Sequence, residues 1–186
     1  MNHLYEQLTA LKLTGFRDAL KKQLAQPGTY QELGFEERLS LLTAEELTCR
    51  ENRKAERLIK HARFRLNAEL SKLDYRNNRG LDRALIRSLS QGNWLTLKQN
   101  ILLTGATGSG KTFLACALGH NACRQGYKVY YYRLKALMEQ CYQGHADGRY
   151  SKLLTRLNNS DLLLLDDWGL EPLSSEQRSD LLEIVD

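Results

Sequence analysis

Thr104-Gly105-Ala106-Thr107-Gly108-Ser109-Gly110-Lys111-Thr112 is the stretch whose reading decides the fold. An apolar run, Ile101-Leu102-Leu103, enters it, and a small-residue helical pattern, Phe113-Leu114-Ala115-Cys116-Ala117-Leu118, leaves it. Gly105 to Thr112 fits G-x-x-x-x-G-K-[ST], the P-loop, in a strand–loop–helix context. A triphosphate carries several negative charges, and only a loop with little side-chain bulk lets successive backbone N–H groups converge on it. Gly105, Gly108 and Gly110 give that access, with Ala106, Thr107 and Ser109 completing the cradle. The following helix adds its orphan N–H donors and the positive end of its dipole. Lys111 is expected at the β- and γ-phosphates of ATP, and the Thr112 hydroxyl on Mg²⁺.

A second stretch completes the site. Asp161-Leu162-Leu163-Leu164-Leu165-Asp166-Asp167-Trp168-Gly169 reads as a strand buried on both faces of a parallel sheet. Two carboxylates stand at its C-terminal end, where ligands bind in open α/β sheets. Asp166 is expected to hold Mg²⁺. Asp167 is expected to orient or deprotonate the attacking water, so Asp167 and Lys111 are the catalytic candidates. Alone, an Asp pair after a strand would only cap a turn; some 54 residues after a complete P-loop, it reads as chemistry.

Upstream, nothing in residues 1–75 alternates with period two, and the region reads as all-helical. Leu4, Leu8, Leu11, Phe16, Leu20 and Leu24 recur at helical spacing, and Gly15 interrupts the pattern, which fits either one helix or two short helices joined at Thr14-Gly15. A long helical stripe follows through Phe35, Leu39, Leu42, Leu47, Leu58, Ala62, Leu66, Leu70 and Leu73. Within it, seven of the sixteen residues from Arg50 to Arg65 are basic. Arg50, Arg53, Lys54, Arg57, Lys60 and Arg63 form either a solvated helix face or a phosphate-contacting surface for nucleic acid. The charge distribution bears on this: residues 1–98 carry a net +6 and residues 99–186 a net −1. With no base-reading motif, such binding would be directed at the backbone and sensitive to salt.

Residues 76–98 read as a polar connector, opened by Asn77-Asn78-Arg79-Gly80, with one short helix from Leu81 to Leu89. The expected organisation is therefore a helical domain at 1–75, the connector, and an ATPase core at 99–186. Trp94 and Leu97 could stack an adenine, although both also suit a core. Strands are expected near 100–104, 128–132 and 161–165, with helices between them, hence a parallel sheet. Arg133 to Gln143 reads as a helix and Gly144 to Arg149 as a loop, whose His145 and Asp147 lack a third metal ligand nearby.

Length and composition limit the alternatives. The 186 residues carry 42% hydrophobic and 26% charged side chains, enough for a packed core of one domain with a helical appendage. No apolar run reaches the roughly 18 residues of a membrane span, and the N-terminus lacks a secretory plan. Cys49, Cys116, Cys123 and Cys141 form no C-x-x-C pair, which suits a reduced, cytoplasmic protein.

The run Asn100 to Ala117, the Leu162 to Leu173 block with Asp166-Asp167-Trp168-Gly169-Leu170, and the Arg178 to Asp186 segment resemble IstB-like transposition helper ATPases. These belong to the AAA+ class and are similar to DnaC-type helicase loaders. The resemblance covers essentially the whole chain, Leu11-Lys12-Leu13 and Gly15-Phe16-Arg17 included. It implies an α/β P-loop NTPase with a parallel three-layer core, preceded by the all-helical region. It also implies a homo-oligomer that binds ATP, assembles on duplex DNA and presents it to a partner transposase. The alternatives are a helicase loader acting on single strands, or a non-hydrolysing interaction module. The family pattern continues beyond Asp186, so the chain reads as truncated at its C-terminus, with weak ATP binding, little turnover and a tendency to aggregate. Many AAA+ relatives carry Glu where Asp167 stands, and the shorter side chain suits slow hydrolysis.

Overall fold

The structure, a computed structural model, describes residues 2–75 and 81–185. The chain divides into two compact units, Met1–Ala55 and Glu56–Asp186. That division falls inside a helix, upstream of the connector expected at 76–98. The opening of the connector, Asn77-Asn78-Arg79-Gly80, lies outside the described residues.

The first unit is helical. It contains α1 (Asn2–Ala10), α2 (Thr14–Ala25), α3 (Pro27–Tyr30) and the larger part of α4 (Phe35–Ala62). The break between α1 and α2 falls at residues 11–13, where Lys12 takes a φ of 59°. Gly15 lies inside α2 and does not interrupt it. A Cβ on Gly15 would come within 2.7 Å of the Cys49 Cβ and 2.9 Å of the Glu45 carbonyl oxygen, so glycine serves the close approach of α2 to α4. The buried face of α4 also departs from the leucine stripe: Leu42 and Glu46 are buried, whereas Phe35 and Leu47 are exposed. Glu46 can be buried because it accepts from the Phe16 N–H at 3.1 Å and from Arg50 Nε at 2.7 Å. Burial pushes its carboxyl up, but these donors outweigh it and hold Glu46 below the ordinary carboxylate value.

In the second unit α4 ends at Ala62, and Arg63, at a φ of 56°, turns the chain out of the helix. The helical reading of 63–69 is therefore corrected. This segment is irregular up to a 3₁₀ turn at Leu70–Lys72, because Phe64 is drawn into the core beside the phosphate-loop helix. There follow α5 (Arg83–Ser90), capped by Asp82, α6 (Asn93–Thr96) and α7 (Lys111–Arg124). The rest of the unit is β1 (Val129–Arg133), α8 (Leu134–Asp147), α9 (Tyr150–Asn158), β2 (Leu162–Asp166) and α10 (Ser175–Val185). Helix α8 runs through the expected loop at 144–147 and ends at Gly148, whose φ of 74° suits a helix stop.

The strands β1 and β2 pair in parallel, from Val129 opposite Leu162 to Arg133 opposite Asp166. Val129, Tyr131, Leu162 and Leu164 pack with Cys116, Ala117, Ala122 and Cys123 of α7. Tyr132, Leu163 and Leu165 pack on the other side, against α8, α9 and Leu181 of α10. The third expected strand is corrected: residues 101–104 join no ladder among the described residues. Ile101 and Leu103 turn instead into a cluster with Ile86, Leu114 and Leu118, and Leu102 between them is 81% exposed. Period-two alternation survives there without a neighbouring strand to bond. For the same reason the leucines of β2 are half-buried, not fully enclosed.

Gly119 sets the spacing of α7 from the sheet, since a Cβ there would meet Leu164 Cδ1 at 2.8 Å and the Phe64 ring at 2.5 Å. The next residue, His120, is buried and its ring lies 4.4 Å from that of Phe64. Burial, then the charge of Arg124, lowers the His120 pKa from 6.5. The folded state therefore binds its proton less readily than the unfolded state. His120 opposes folding only as pH falls through about 6.5. Urea midpoints should drop between pH 7.5 and 5.5, and His120→Gln should flatten that drop; an equal drop in both proteins would exclude His120 as its source.

Candidate functional site

The phosphate loop runs from Gly105 to the first turn of α7. Gly105, Gly108 and Gly110 take φ values of 150°, 79° and 96°, backbone that a side chain would strain. A turn closed by the Ser109 N–H on the Ala106 carbonyl, at 3.2 Å, folds the loop back on itself. Residues 104–109 are exposed. Gly110 stands at the N-cap of α7, so the N–H groups of Lys111, Thr112 and Phe113 open the helix without intrahelical partners. Lys111 donates its Nζ protons to the carbonyls of Gly105, at 2.8 Å, and Ala106, at 2.9 Å. The ammonium thus rests on carbonyls of its own loop.

Thr112 points across to β2. Its hydroxyl donates to the Asp166 carboxylate, with Oδ2 at 2.9 Å and Oδ1 at 3.1 Å. Tyr131, one strand over on β1, donates its phenol hydrogen to the same Oδ2 at 2.6 Å. Burial raises the Asp166 pKa, but the Tyr131 and Thr112 hydrogen bonds, the Asp167 N–H and the Arg65 charge outweigh it. The carboxyl is held below its ordinary value and stays ionised at neutral pH. The Tyr131 phenol is pushed the other way, by burial first and then by its bond to Asp166, so it remains a donor.

Asp167 follows at the point where the chain leaves β2. It adopts a φ of 58°, a left-handed backbone that Asp tolerates better than most residues. Its Oδ2 lies 3.7 Å from Nη1 of Arg65. Farther along the same loop, Glu171 accepts from Lys135 Nζ at 3.0 Å. Neither Tyr131 nor Arg65 stands out in the sequence. A tyrosine at the middle of a strand reads as core, and Arg65 reads as one more member of the basic run.

The donor set suits a magnesium nucleotide. A hard cation bound through one or two protein oxygens, with substrate phosphates completing its shell, needs a hydroxyl and a carboxylate side by side, as Thr112 and Asp166 are. Among the described residues no group of three or more His, Cys, Asp or Glu side chains could hold a metal by itself. His145 and Asp147 do not converge: His145 Nε2 lies 2.9 Å from Asp180, and Asp147 accepts from Arg149. Trp94 is buried, with its Nε1–H on the Leu89 carbonyl at 2.9 Å, while Leu97 is exposed. The six basic candidates Arg50, Arg53, Lys54, Arg57, Lys60 and Arg63 are all exposed. Arg50 is paired with Glu46, and Arg53 donates to Thr14. No helix of the described residues is long and apolar enough to cross a membrane.

Comparison with known proteins places the whole chain among relatives. A family described as IstB-like ATP binding protein matches residues 6–186. A protein of Pseudomonas fluorescens, named as a candidate ATP-binding protein of insertion sequence IS1162, is 46% identical over 185 residues, covering 99% of this chain and 80% of its own length. A similarly named insertion-sequence protein of Sinorhizobium fredii is 41% identical over 181 residues, 97% of this chain and 74% of that one. One from Mycobacterium tuberculosis is 30% identical over 182 residues, 98% of this chain and 72% of that one.

The Tyr131–Asp166 bond joins a neutral donor to an ionised acceptor, a class that contributes roughly 1.5–3 kcal/mol. Tyr131→Phe should lower unfolding stability by about that amount without changing the fold; an unchanged denaturation midpoint would show that the bond contributes nothing.

Proposed function

The chain belongs to the IstB-like ATP-binding protein family, and from that premise we propose that it is an ATPase that assists DNA transposition. The observation that carries the reading is the bonding of Thr112 to Asp166. Two motifs separated by 54 residues meet there, one built for phosphate and one for a cation. The alignment with insertion-sequence proteins supplies the biological setting.

On this reading the backbone N–H groups of Gly105 to Thr112 receive the phosphates of ATP. Lys111 exchanges the Gly105 and Ala106 carbonyls for the β- and γ-phosphate oxygens, a stronger, charge-assisted pairing. Thr112 and Asp166 are the protein oxygens for Mg²⁺, which when bound neutralises phosphate charge. Asp167 orients the attacking water or takes its proton. Asp167 reaches less far than a glutamate would, which suits a slow switch more than a fast motor.

The same reading places duplex DNA on the basic residues Arg50, Arg53, Lys54, Arg57, Lys60 and Arg63, in a homo-oligomer that presents the DNA to a partner transposase in the cytoplasm. With no base-reading motif among them, contact with phosphates is favoured over recognition of bases.

Lys111→Ala should weaken ATP binding by about tenfold or more. Asp167→Asn should bind ATP normally and lose about 10²- to 10⁴-fold in turnover. Calorimetry and phosphate release measure the two separately, and full turnover in Asp167→Asn would remove Asp167 from the chemistry. Joint charge reversal of Arg53, Lys54, Arg57 and Lys60 should weaken duplex binding equally across sequences and flatten its salt dependence. Unchanged affinity and slope would locate the DNA elsewhere, and a preference for single strands would favour a helicase loader.

A further inference from the structure

We infer that Arg65 is a positioning residue that restrains Asp167, holding the carboxylate in an ion pair and away from water activation. The inference rests on Asp167 having the role proposed above. Its observations are separate from the phosphate loop.

Two features just before Arg65 fix the backbone that carries it. Arg63 turns the chain out of α4 with its positive φ. Phe64 then packs into two core clusters, its ring 4.4 Å from His120 on α7 and 6.5 Å from Tyr131 on β1. The elements that anchor Phe64 are thus those that carry Thr112 and the Asp166 partner Tyr131. Arg65 is the next residue, and its guanidinium reaches Asp167 Oδ2 at 3.7 Å.

A carboxylate that is to accept a proton from water needs a lone pair free and aimed at that water. An arginine 3.7 Å from Oδ2 draws the negative charge the other way. Both side chains are partly exposed, so the pair is of the weak, reversible kind and acts as a brake of modest strength. The loop that carries Asp167 has a second tether, Lys135 to Glu171, which grips it beyond Trp168 and leaves the Asp167 carboxylate untouched. The two tethers separate restraint of the carboxylate from restraint of the loop.

The test compares wild type with Arg65→Ala, Arg65→Lys, Lys135→Ala and Asp167→Asn, by steady-state phosphate release and by amide hydrogen exchange over residues 162–171 without nucleotide. Arg65→Ala should raise kcat by about two- to fivefold at unchanged KM, the range an exposed ion pair can impose, and should speed exchange at Asp167 and the residues after it. Arg65→Lys, which keeps the charge, should retain wild-type values of both. A fall in kcat on Arg65→Ala, unchanged exchange, or an equal rise in Lys135→Ala would each overturn the assignment. Asp167→Asn judges the underlying role separately: undiminished turnover there refutes the part given to Asp167, while the exchange result, which needs no turnover, still decides whether Arg65 holds it.

Discussion

The hydroxyl of Thr112 on the carboxylate of Asp166 is the contact on which the site depends. It requires the start of α7 to meet the end of β2 within one hydrogen bond, although the two are far apart in sequence. Several features serve that requirement. Gly119 lets α7 lie close over Leu164, the small side chains Cys116 and Ala117 continue the fit, and Tyr131 supplies a second donor from the neighbouring strand. Adding side-chain bulk at Gly119 would force the helix or Phe64 aside. The free energy of this arrangement comes chiefly from apolar packing, and the polar contacts select which packing is adopted.

Much of this was legible beforehand. The glycine spacing of the loop, its lysine and threonine, and the carboxylates after four leucines are local patterns, and the structure brings Thr112 onto Asp166 as their order suggested. The strands β1 and β2 lie one residue from their expected positions. What could not be read were long-range contacts. Gly15 resembles a helix breaker until Cys49 is seen beside it, and Glu46 resembles a surface acid until the Phe16 N–H is found on it. Ile101 to Leu103 alternates like a strand, yet a strand exists only where a neighbour bonds to it. The C-terminal part of the α4 stripe misled for a related reason: helical spacing continues past Ala62, while the packing of Phe64 against His120 ends the helix there.

Arg65 illustrates the limit of reading charge from composition. Within the run from Arg50 it is one basic residue among seven. In three dimensions it belongs with the aspartates, and its charge helps to hold the Asp166 carboxyl below its ordinary value. Arg50 and Arg53 likewise have protein partners, Glu46 and Thr14. A basic stretch can therefore combine structural pairing with site electrostatics.

Whether Thr112 and Asp166 share a magnesium ion with ATP is tested most directly by ATP affinity, measured by calorimetry with and without Mg²⁺ in wild type and Thr112→Ala. Markedly tighter binding with Mg²⁺ in wild type, and loss of that gain in the variant, is the expected result. Equal affinity with and without the cation in wild type, or a gain that survives in Thr112→Ala, would contradict it.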